Sequence, residues 1–324
     1  MLPKPLLFLL VLGGGALSLV LGEAWARSTM PASSHTPYRT APIDGLPSVL
    51  GKNIELVWQG ADVETNRFGF RGPDPTSAVD MPEGTLRIAI VGDSFVFGSG
   101  VQWEDTLGVK LEAALRALGQ PAEVMNCGVP GYNTRNAAVN LAAYVMPLEP
   151  DLVVFLGFAN DAEPDQDYGE IDPERMPDQV SPFPLRSAFL QRTLVVTRDI
   201  AADLGVHLGR NTADVQRALY AGAGGERVRD GFAKMQATCS AAGVPLVVAI
   251  YPFMNRPERN AYLPVEQGMA RDAEAMGIPV VRIERAFEGF NRRDHWAHPI
   301  YDSHPDGEAN ALAAALLAKR ILEL

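Results

Sequence analysis

From residue 86 to its end, the chain alternates short runs of Val, Ile and Leu with longer stretches whose apolar residues recur at helical spacing. The short runs predict five strands, at 86–91, 122–129, 151–158, 244–252 and 279–283. The longer stretches predict helices at 106–118, 134–145, 225–242, 265–276 and 307–322. Strands that are apolar on both faces lie in parallel sheets covered by helices on each side, so this pattern predicts an α/β fold.

The composition narrows the possible partners of the chain. It has 324 residues, a net charge of −11 and a pI near 5.0. A nucleic-acid surface needs clustered Lys and Arg, and the sequence has no such cluster, so we expect no nucleic-acid partner. The sequence also has no zinc-ligand spacing, no P-loop and no G-x-G-x-x-G. We therefore expect no metal and no other cofactor.

The N-terminus carries an apolar segment. Lys4 precedes an apolar run, residues 6–21, in which Ser18 is the only polar side chain. The small-x-small sequence 24–26 follows, so residues 1–26 are predicted to be a secretory signal peptide or an uncleaved membrane anchor. A buried core helix is the third alternative. The first two interpretations place the protein outside the cytoplasm, in the periplasm or secreted, and the anchor would associate with the membrane through residues 6–21.

Composition also suggests the domain boundaries. Residues 27–61 are predicted to be a linker with N-terminal decoration, because 27–50 is rich in Ser, Thr, Pro and Ala. The main domain is expected over 62–324, with an insertion at about 162–224 that begins acidic and continues into helical stretches. Cys127 and Cys239 are the only cysteines. We favour two buried thiols over a disulfide.

Small polar motifs follow several of the predicted strands. Gly92-Asp93-Ser94 comes after the first strand, "NCGVPGYN" at 126–133 overlaps the end of the second, and "GFAND" at 157–161 overlaps the end of the third. A further motif, "YDSHP" at 301–305, lies just before the last helix. Ligands of open α/β sheets bind beyond the carboxyl ends of the strands, so these motifs are candidates for a shared site.

The four motifs, in this order, resemble those of the SGNH (GDSL) hydrolase superfamily. The resemblance covers roughly residues 62–324 and implies a flavodoxin-like three-layer sandwich with a central five-stranded parallel sheet. The upstream segment "TNRFGFRGPD", at 65–74, is similar to a segment of exported and often membrane-anchored members.

The resemblance and the chemistry together suggest a role for each residue. Ser94 is the expected nucleophile, and a serine hydroxyl needs a neighbouring base, which His304 would supply. Asp302 would orient the imidazole and stabilise its charged form. The backbone N–H groups of Ser94 and Gly131 and the side-chain amide of Asn160 would form the oxyanion hole.

Some positions depart from the pattern or compete with it. Many members of the superfamily place the acid three residues before the histidine, where this chain has Tyr301, so Asp302 is two residues before it. His298-Pro299 is the best rival to the histidine at 304. Asp93 is interpreted as a turn-forming and hydrogen-bonding residue rather than a catalytic acid. Arg71 is expected to form a surface ion pair rather than to reach the substrate.

The predicted function is an exported serine esterase that hydrolyses acyl esters, either O-acetyl groups of a glycan or lipid esters. An acyltransferase that passes the acyl group to a cell-envelope glycan is the alternative, and a non-catalytic glycan-binding domain is a third possibility. The sequence lacks G-x-S-x-G, which argues against the nucleophile elbow of the α/β-hydrolases. The expected substrate is a small-molecule or glycan ester.

Overall fold

The structure is a computed structural model of the chain. It describes residues 4–29, 33, 36–164, 189, 193, 197, 212–254, 260, 262–298 and 302–324. Most of the insertion expected at 162–224, including most of its predicted helical stretches, lies outside the described residues.

The described strands and helices are numbered in chain order. The strands are β1 Tyr38–Arg39, β2 Val49–Leu50, β3 Glu55–Trp58, β4 Ala61–Glu64, β5 Leu86–Gly92, β6 Ala122–Gly128, β7 Leu152–Gly157, β8 Leu246–Ile250, β9 Val280–Arg282, β10 Trp296–His298 and β11 Asp302–Pro305. The α-helices are α1 Lys4–Ser28, α2 Ser94–Phe97, α3 Leu107–Ala117, α4 Thr134–Asn140, α5 Thr212–Ala221, α6 Ala223–Ala242, α7 Leu263–Ala275 and α8 Gly307–Ile321.

The predicted α/β fold is confirmed. A five-stranded sheet has the order β6-β5-β7-β8-β9, and every neighbouring pair of its strands is parallel. The predicted strands and helices agree with the observed ones to within a few residues at each end. The clearest difference is the helix predicted over 134–145, because α4 ends at Asn140 and the chain continues as a π-helical turn, Leu141–Val145.

Helices cover both faces of this sheet. Alternate residues of a strand point to opposite faces, so Ile88 and Ile90 of β5 pack in the cluster that contains α3 and α8. Ala89 and Val91 of the same strand pack in the cluster that contains α4, α6 and α7. All six residues of β7 are buried, as expected for a central parallel strand. The result is the three-layer sandwich that the sequence predicted.

Part of the segment at 27–61 packs on the main domain. The strands β1 and β2 pair with each other, as do β3 and β4, in two small antiparallel sheets. Tyr38, Leu46 and Leu50 are buried in one cluster with Phe97 and Tyr132. The polar composition of residues 27–50 gave no indication that these three apolar residues would be buried.

The apolar N-terminal segment forms helix α1. Among the described residues, no helix combines the length and the apolar character needed to cross a membrane. Leu17, Leu19, Val20 and Leu21 of α1 are exposed.

Both cysteines are free and buried, which agrees with the favoured interpretation. Burial raises the pKa of the Cys239 thiol to about 11 and raises that of Cys127 further.

Candidate active site

The first motif forms a tight turn from β5 into α2. Asp93 is the N-cap of this four-residue helix, and its Oδ1 accepts a hydrogen bond from the backbone N–H of Phe95 at 2.9 Å. An N-cap side chain satisfies a backbone donor at the start of a helix, which explains a carboxylate at this position. Ser94 is therefore the first helical residue, held at the carboxyl edge of the sheet.

The last motif brings a histidine to this serine. The strand β11 pairs antiparallel with β10, and it carries His304. The Nε2 atom of His304 lies 2.7 Å from Ser94 Oγ, across 210 positions of sequence. His298, the rival histidine, lies on β10 in register with Asp302. The side chain of Asp302 lies outside the described part of the structure.

The second motif packs directly on the serine turn. The backbone N–H of Val129 donates to the carbonyl of Gly92 at 3.1 Å. A Cβ at Gly128 would collide with the backbone nitrogen of Phe97, so only glycine permits this close approach. Gly131 has a φ of +82°, a left-handed conformation that favours glycine. Both glycines let this loop follow the turn that carries Ser94.

The third motif is tied to the first by a side-chain hydrogen bond. Asn160 lies in a 3₁₀ helix, Ala159–Ala162, that follows β7. Its Nδ2 donates to Asp93 Oδ2 at 3.2 Å, while its Oδ1 is buried and has no hydrogen-bond partner among the described residues. Asp93 thus contacts both α2, which carries the predicted nucleophile Ser94, and the side-chain amide of Asn160, which is a predicted oxyanion-hole donor.

Two buried carboxylates lie behind the site. Burial raises the pKa of Asp93, and the hydrogen bond from Phe95 and the nearby His304 partly oppose this shift. Burial also raises the pKa of Asp161 well above its usual range, and the neighbouring Asp93 raises it further. Asp161 accepts hydrogen bonds from the backbone N–H of Phe158 at 2.6 Å and from Thr134 Oγ1 at 3.2 Å. These bonds fix the loop that contains Asn160.

Arg71 has a role that the sequence interpretation missed. It does not form the expected surface ion pair. Its guanidinium is buried and donates to the carbonyls of Asp62, Phe97, Gly98 and Val101, at 2.6 to 3.0 Å. Burial lowers its pKa to about 10, against the opposite effect of Glu104. In the sequence, the only indication that Arg71 has a special role is its position in the segment "TNRFGFRGPD", at 65–74.

Aromatic rings extend from the serine and histidine. The Phe95 ring lies 5.0 Å from the His304 ring and stacks on Phe158 at 4.2 Å between centroids. Phe253 and Tyr262 each lie 6.4 Å from Phe158. We call Phe158, Phe253 and Tyr262 the aromatic platform. Phe158 belongs to the third motif, whereas no motif or spacing rule in the sequence marks Phe253 or Tyr262.

Nothing in the described part of the chain groups three or more His, Cys, Asp or Glu side chains in a way that could hold a metal ion.

The sequence profile of the GDSL-like lipase/acylhydrolase family matches residues 90–312. A comparison with curated protein sequences found no match.

Several solved structures are similar to this chain. An α/β hydrolase from the metagenome of Lake Arreo, Spain, is 18% identical, with a TM-score of 0.44, over 73% of this chain and 96% of that one. The lipase/acylhydrolase from Enterococcus faecalis is 18% identical, with a TM-score of 0.42, over 73% and 95%. A catalytic mutant of an acetylxylan esterase from Geobacillus stearothermophilus is 14% identical, with a TM-score of 0.42, over 74% and 96%.

The matched family segment starts within β5, ends within α8 and covers more than half of the chain. The protein therefore belongs to the GDSL-like lipase/acylhydrolase family and is an ester hydrolase.

Proposed function

We propose that the protein is an exported serine esterase that cleaves acyl esters through an acyl-enzyme intermediate. The observation that carries this proposal is the 2.7 Å distance between His304 Nε2 and Ser94 Oγ. A serine hydroxyl becomes a useful nucleophile only when a base lies within hydrogen-bond distance. Imidazole is suited to this role because its unperturbed pKa lies close to neutral pH.

The reaction has two halves. In the first, His304 takes the proton of Ser94 Oγ while this oxygen bonds to the carbonyl carbon of the ester. The bond from that carbon to the alcohol oxygen then breaks, and His304 gives its proton to the departing alcohol. In the second half, water loses a proton to His304, attacks the acyl-enzyme and releases the carboxylic acid, while the proton returns to Ser94.

Three donors would stabilise the negative oxygen of each tetrahedral intermediate. They are the backbone N–H groups of Ser94 and Gly131 and the Nδ2 of Asn160. The bond from Asn160 to Asp93 supports this role, because it fixes the amide beside the serine turn. Preorganised donors need no reorganisation as charge develops, and one such donor elsewhere contributes about 2.7–4 kcal/mol. Asp302 is the proposed acid, on the same strand as His304 and two positions before it.

The test combines labelling with turnover. We expect the wild-type protein to react with a fluorophosphonate probe and to hydrolyse a short-chain aryl ester. Ser94→Ala should lose both reactions, since no other group replaces the nucleophile. Ser77→Ala, a change of an exposed serine outside the site, is the matched control and should retain both. An inert wild-type protein, or an active Ser94→Ala variant, would refute the proposal.

Export is the second part of the proposal. The apolar run at 6–21 supports it, as do the exposed apolar side chains of α1, which favour contact with a membrane. Cell fractionation of the full chain with a C-terminal tag tests the location. The mass of the recovered protein distinguishes the alternatives, because a signal peptide is removed near residue 26 and an anchor stays. Recovery in the cytoplasmic fraction at full mass would contradict export.

A further inference from the structure

The aromatic platform leads outward from the reacting atoms. Phe95, next to Ser94, is buried between the ring of His304 and that of Phe158. Phe158, Phe253 and Tyr262 are only half-buried, and the last two contact each other at 4.6 Å between centroids. The row of rings therefore begins at the nucleophile and ends at the solvent. A substrate bound at Ser94 can extend over these rings.

A single buried carboxylate fixes the outer part of the platform. Glu266 Oε1 accepts the backbone N–H of Phe253 at 2.7 Å, and Glu266 Oε2 accepts Asn260 Nδ2 at 2.8 Å. Asn260 Oδ1 in turn accepts the backbone N–H of Tyr262 at 3.0 Å. Both outer aromatic residues are thus held in place before any ligand binds. A surface that is preorganised in this way loses less conformational entropy on binding.

The outer end of the platform is polar. The pKa of the Tyr262 phenol is raised by burial and, secondarily, by the nearby carboxylate of Glu163. Glu163 follows Asn160 by three residues, so this acidic group belongs to the loop of the predicted oxyanion amide. An acyl or alkyl chain on these rings would desolvate the Tyr262 phenol without giving it a hydrogen bond, which costs free energy.

A sugar ring can interact with both the aromatic part and the polar outer end of this surface. Its C–H face packs on aromatic rings, while its hydroxyl groups can donate to a carboxylate and bond to a phenol. A charged sugar acid is disfavoured, because Glu163 and the net charge of −11 would repel it.

We propose that the aromatic platform binds the alcohol part of the ester, and that this part is a neutral sugar. This inference rests on the proposed esterase function and deepens it, since it favours glycan esters over lipid esters.

The experiment compares three acetyl esters that differ only in the alcohol: ethyl acetate, octyl acetate and 6-O-acetylglucose. Phe253→Ala and Tyr262→Ala should each raise KM for 6-O-acetylglucose by about tenfold, the size expected for losing an aromatic contact. For ethyl acetate, which cannot reach the platform, kcat/KM should change by less than about twofold. Glu163→Gln should raise KM for the sugar ester alone. Phe290→Ala removes an exposed ring outside the platform and serves as the matched control.

Other outcomes overturn the inference. Losses confined to octyl acetate would assign the platform to an alkyl chain, equal losses on all three esters would mean a structural role, and unchanged constants would mean no role. Failure of the esterase function gives a different result, because the wild-type protein would then hydrolyse none of the esters. Calorimetric binding of 6-O-acetylglucose to Ser94→Ala, with and without Tyr262→Ala, then decides: weaker binding to the double variant supports the platform, and equal or absent binding refutes it.

Discussion

Asp93 lies between two parts of the proposed catalytic machinery. One carboxylate oxygen accepts the N–H of Phe95 in the helix of Ser94, and the other accepts the amide of Asn160. A side chain that is fully buried at this point acts by positioning its neighbours, since it does not itself contact the reacting atoms. Its effect on the reaction should therefore pass through Asn160 and through the turn that carries Ser94.

Asp93→Asn tests this coupling. A carboxamide has one acceptor oxygen, so one of the two donors would face an NH₂ group and the amide of Asn160 would shift. We expect kcat to fall by about 10²-fold with a small change in KM, comparable to losing one oxyanion donor. The double variant Asp93→Asn/Asn160→Ala should lose less activity than the sum of the two single losses, because two changes in contacting residues are not additive. Fully additive losses in this cycle would show that Asp93 acts independently.

Glu266 makes the stability of the protein depend on pH. Burial raises its pKa from 4.5 to about 7, although the bonds from Phe253 and Asn260 and the charge of Arg292 oppose this effect. Between these two values the folded protein holds a proton that the unfolded chain has lost, so stability falls as pH rises through this window. A pKa difference of this size between the folded and unfolded states corresponds to roughly 3 kcal/mol of unfolding free energy.

Glu266→Gln should remove this dependence. Between pH 4.5 and pH 7, the free energy of unfolding of the wild-type protein should fall by roughly 3 kcal/mol more than that of the variant. Urea unfolding at both pH values measures this difference. Glu288→Gln changes an exposed glutamate and is the control, whose pH dependence should match that of the wild type. A parallel pH dependence of wild type and Glu266→Gln would contradict the prediction.

At the level of elements, Arg71 connects the segment at 65–74 with the helix of the nucleophile. Its four acceptors include the carbonyls of Phe97, Gly98 and Val101, which follow Ser94 in the chain. The last carbonyls of a helix have no partner within it, and a cation near this end is favourable. The upstream segment thus stabilises the C-terminal end of α2 through these hydrogen bonds.

Arg71→Met should leave these buried carbonyls without donors. We expect the free energy of unfolding to fall by roughly 3 kcal/mol, since each unsatisfied buried group costs about 1–3 kcal/mol. The rate of fluorophosphonate labelling should also fall, because α2 carries Ser94. Arg67→Met, in the same segment but exposed and paired with Asp74, is the matched control and should change neither measurement appreciably. If both variants behaved alike, the carbonyl contacts would not be responsible.

The elements also show what the sequence could predict. The strand β7 was predictable because its residues form a continuous apolar run. Such a run is typical of a strand that is buried on both faces of a parallel sheet. The end of α4 was not, because the π-helical turn Leu141–Val145 keeps apolar residues at nearly helical spacing. Phe253 and Tyr262 were also missed, since they lie beyond β8 and just before α7, where no periodicity assigns a direction to a side chain.

Over the whole molecule, the parallel sheet explains why distant motifs meet. Its strands all end at one edge, so the loops after β5, β6 and β7 had to lie side by side. The approach of His304 could be predicted only from the motif order, because β11 belongs to a separate small sheet. The packing of residues 38–50 on the domain could not be predicted, because a few apolar residues in a polar stretch do not alter its average composition.

That N-terminal segment supports the loop of Gly131 from outside the sheet. The Tyr38 hydroxyl donates to the carbonyl of Pro130 at 3.3 Å, and the Tyr132 hydroxyl donates to the carbonyl of Ser48 at 2.6 Å. Leu50 is buried in the same cluster. The segment at 38–50 is therefore joined to the proposed oxyanion loop by hydrogen bonds as well as by packing.

Two substitutions separate these contributions. Leu50→Ala should lower the free energy of unfolding by about 2–5 kcal/mol, because it leaves a cavity in a buried cluster. Tyr38→Phe keeps the ring and removes one hydrogen bond, so its stability should change by only about 1 kcal/mol. If the bond to Pro130 positions Gly131, Tyr38→Phe should still lower kcat severalfold at unchanged KM in the ester assay. An unchanged kcat in Tyr38→Phe, together with a Leu50→Ala protein as stable as the wild type, would mean that the segment merely covers the surface.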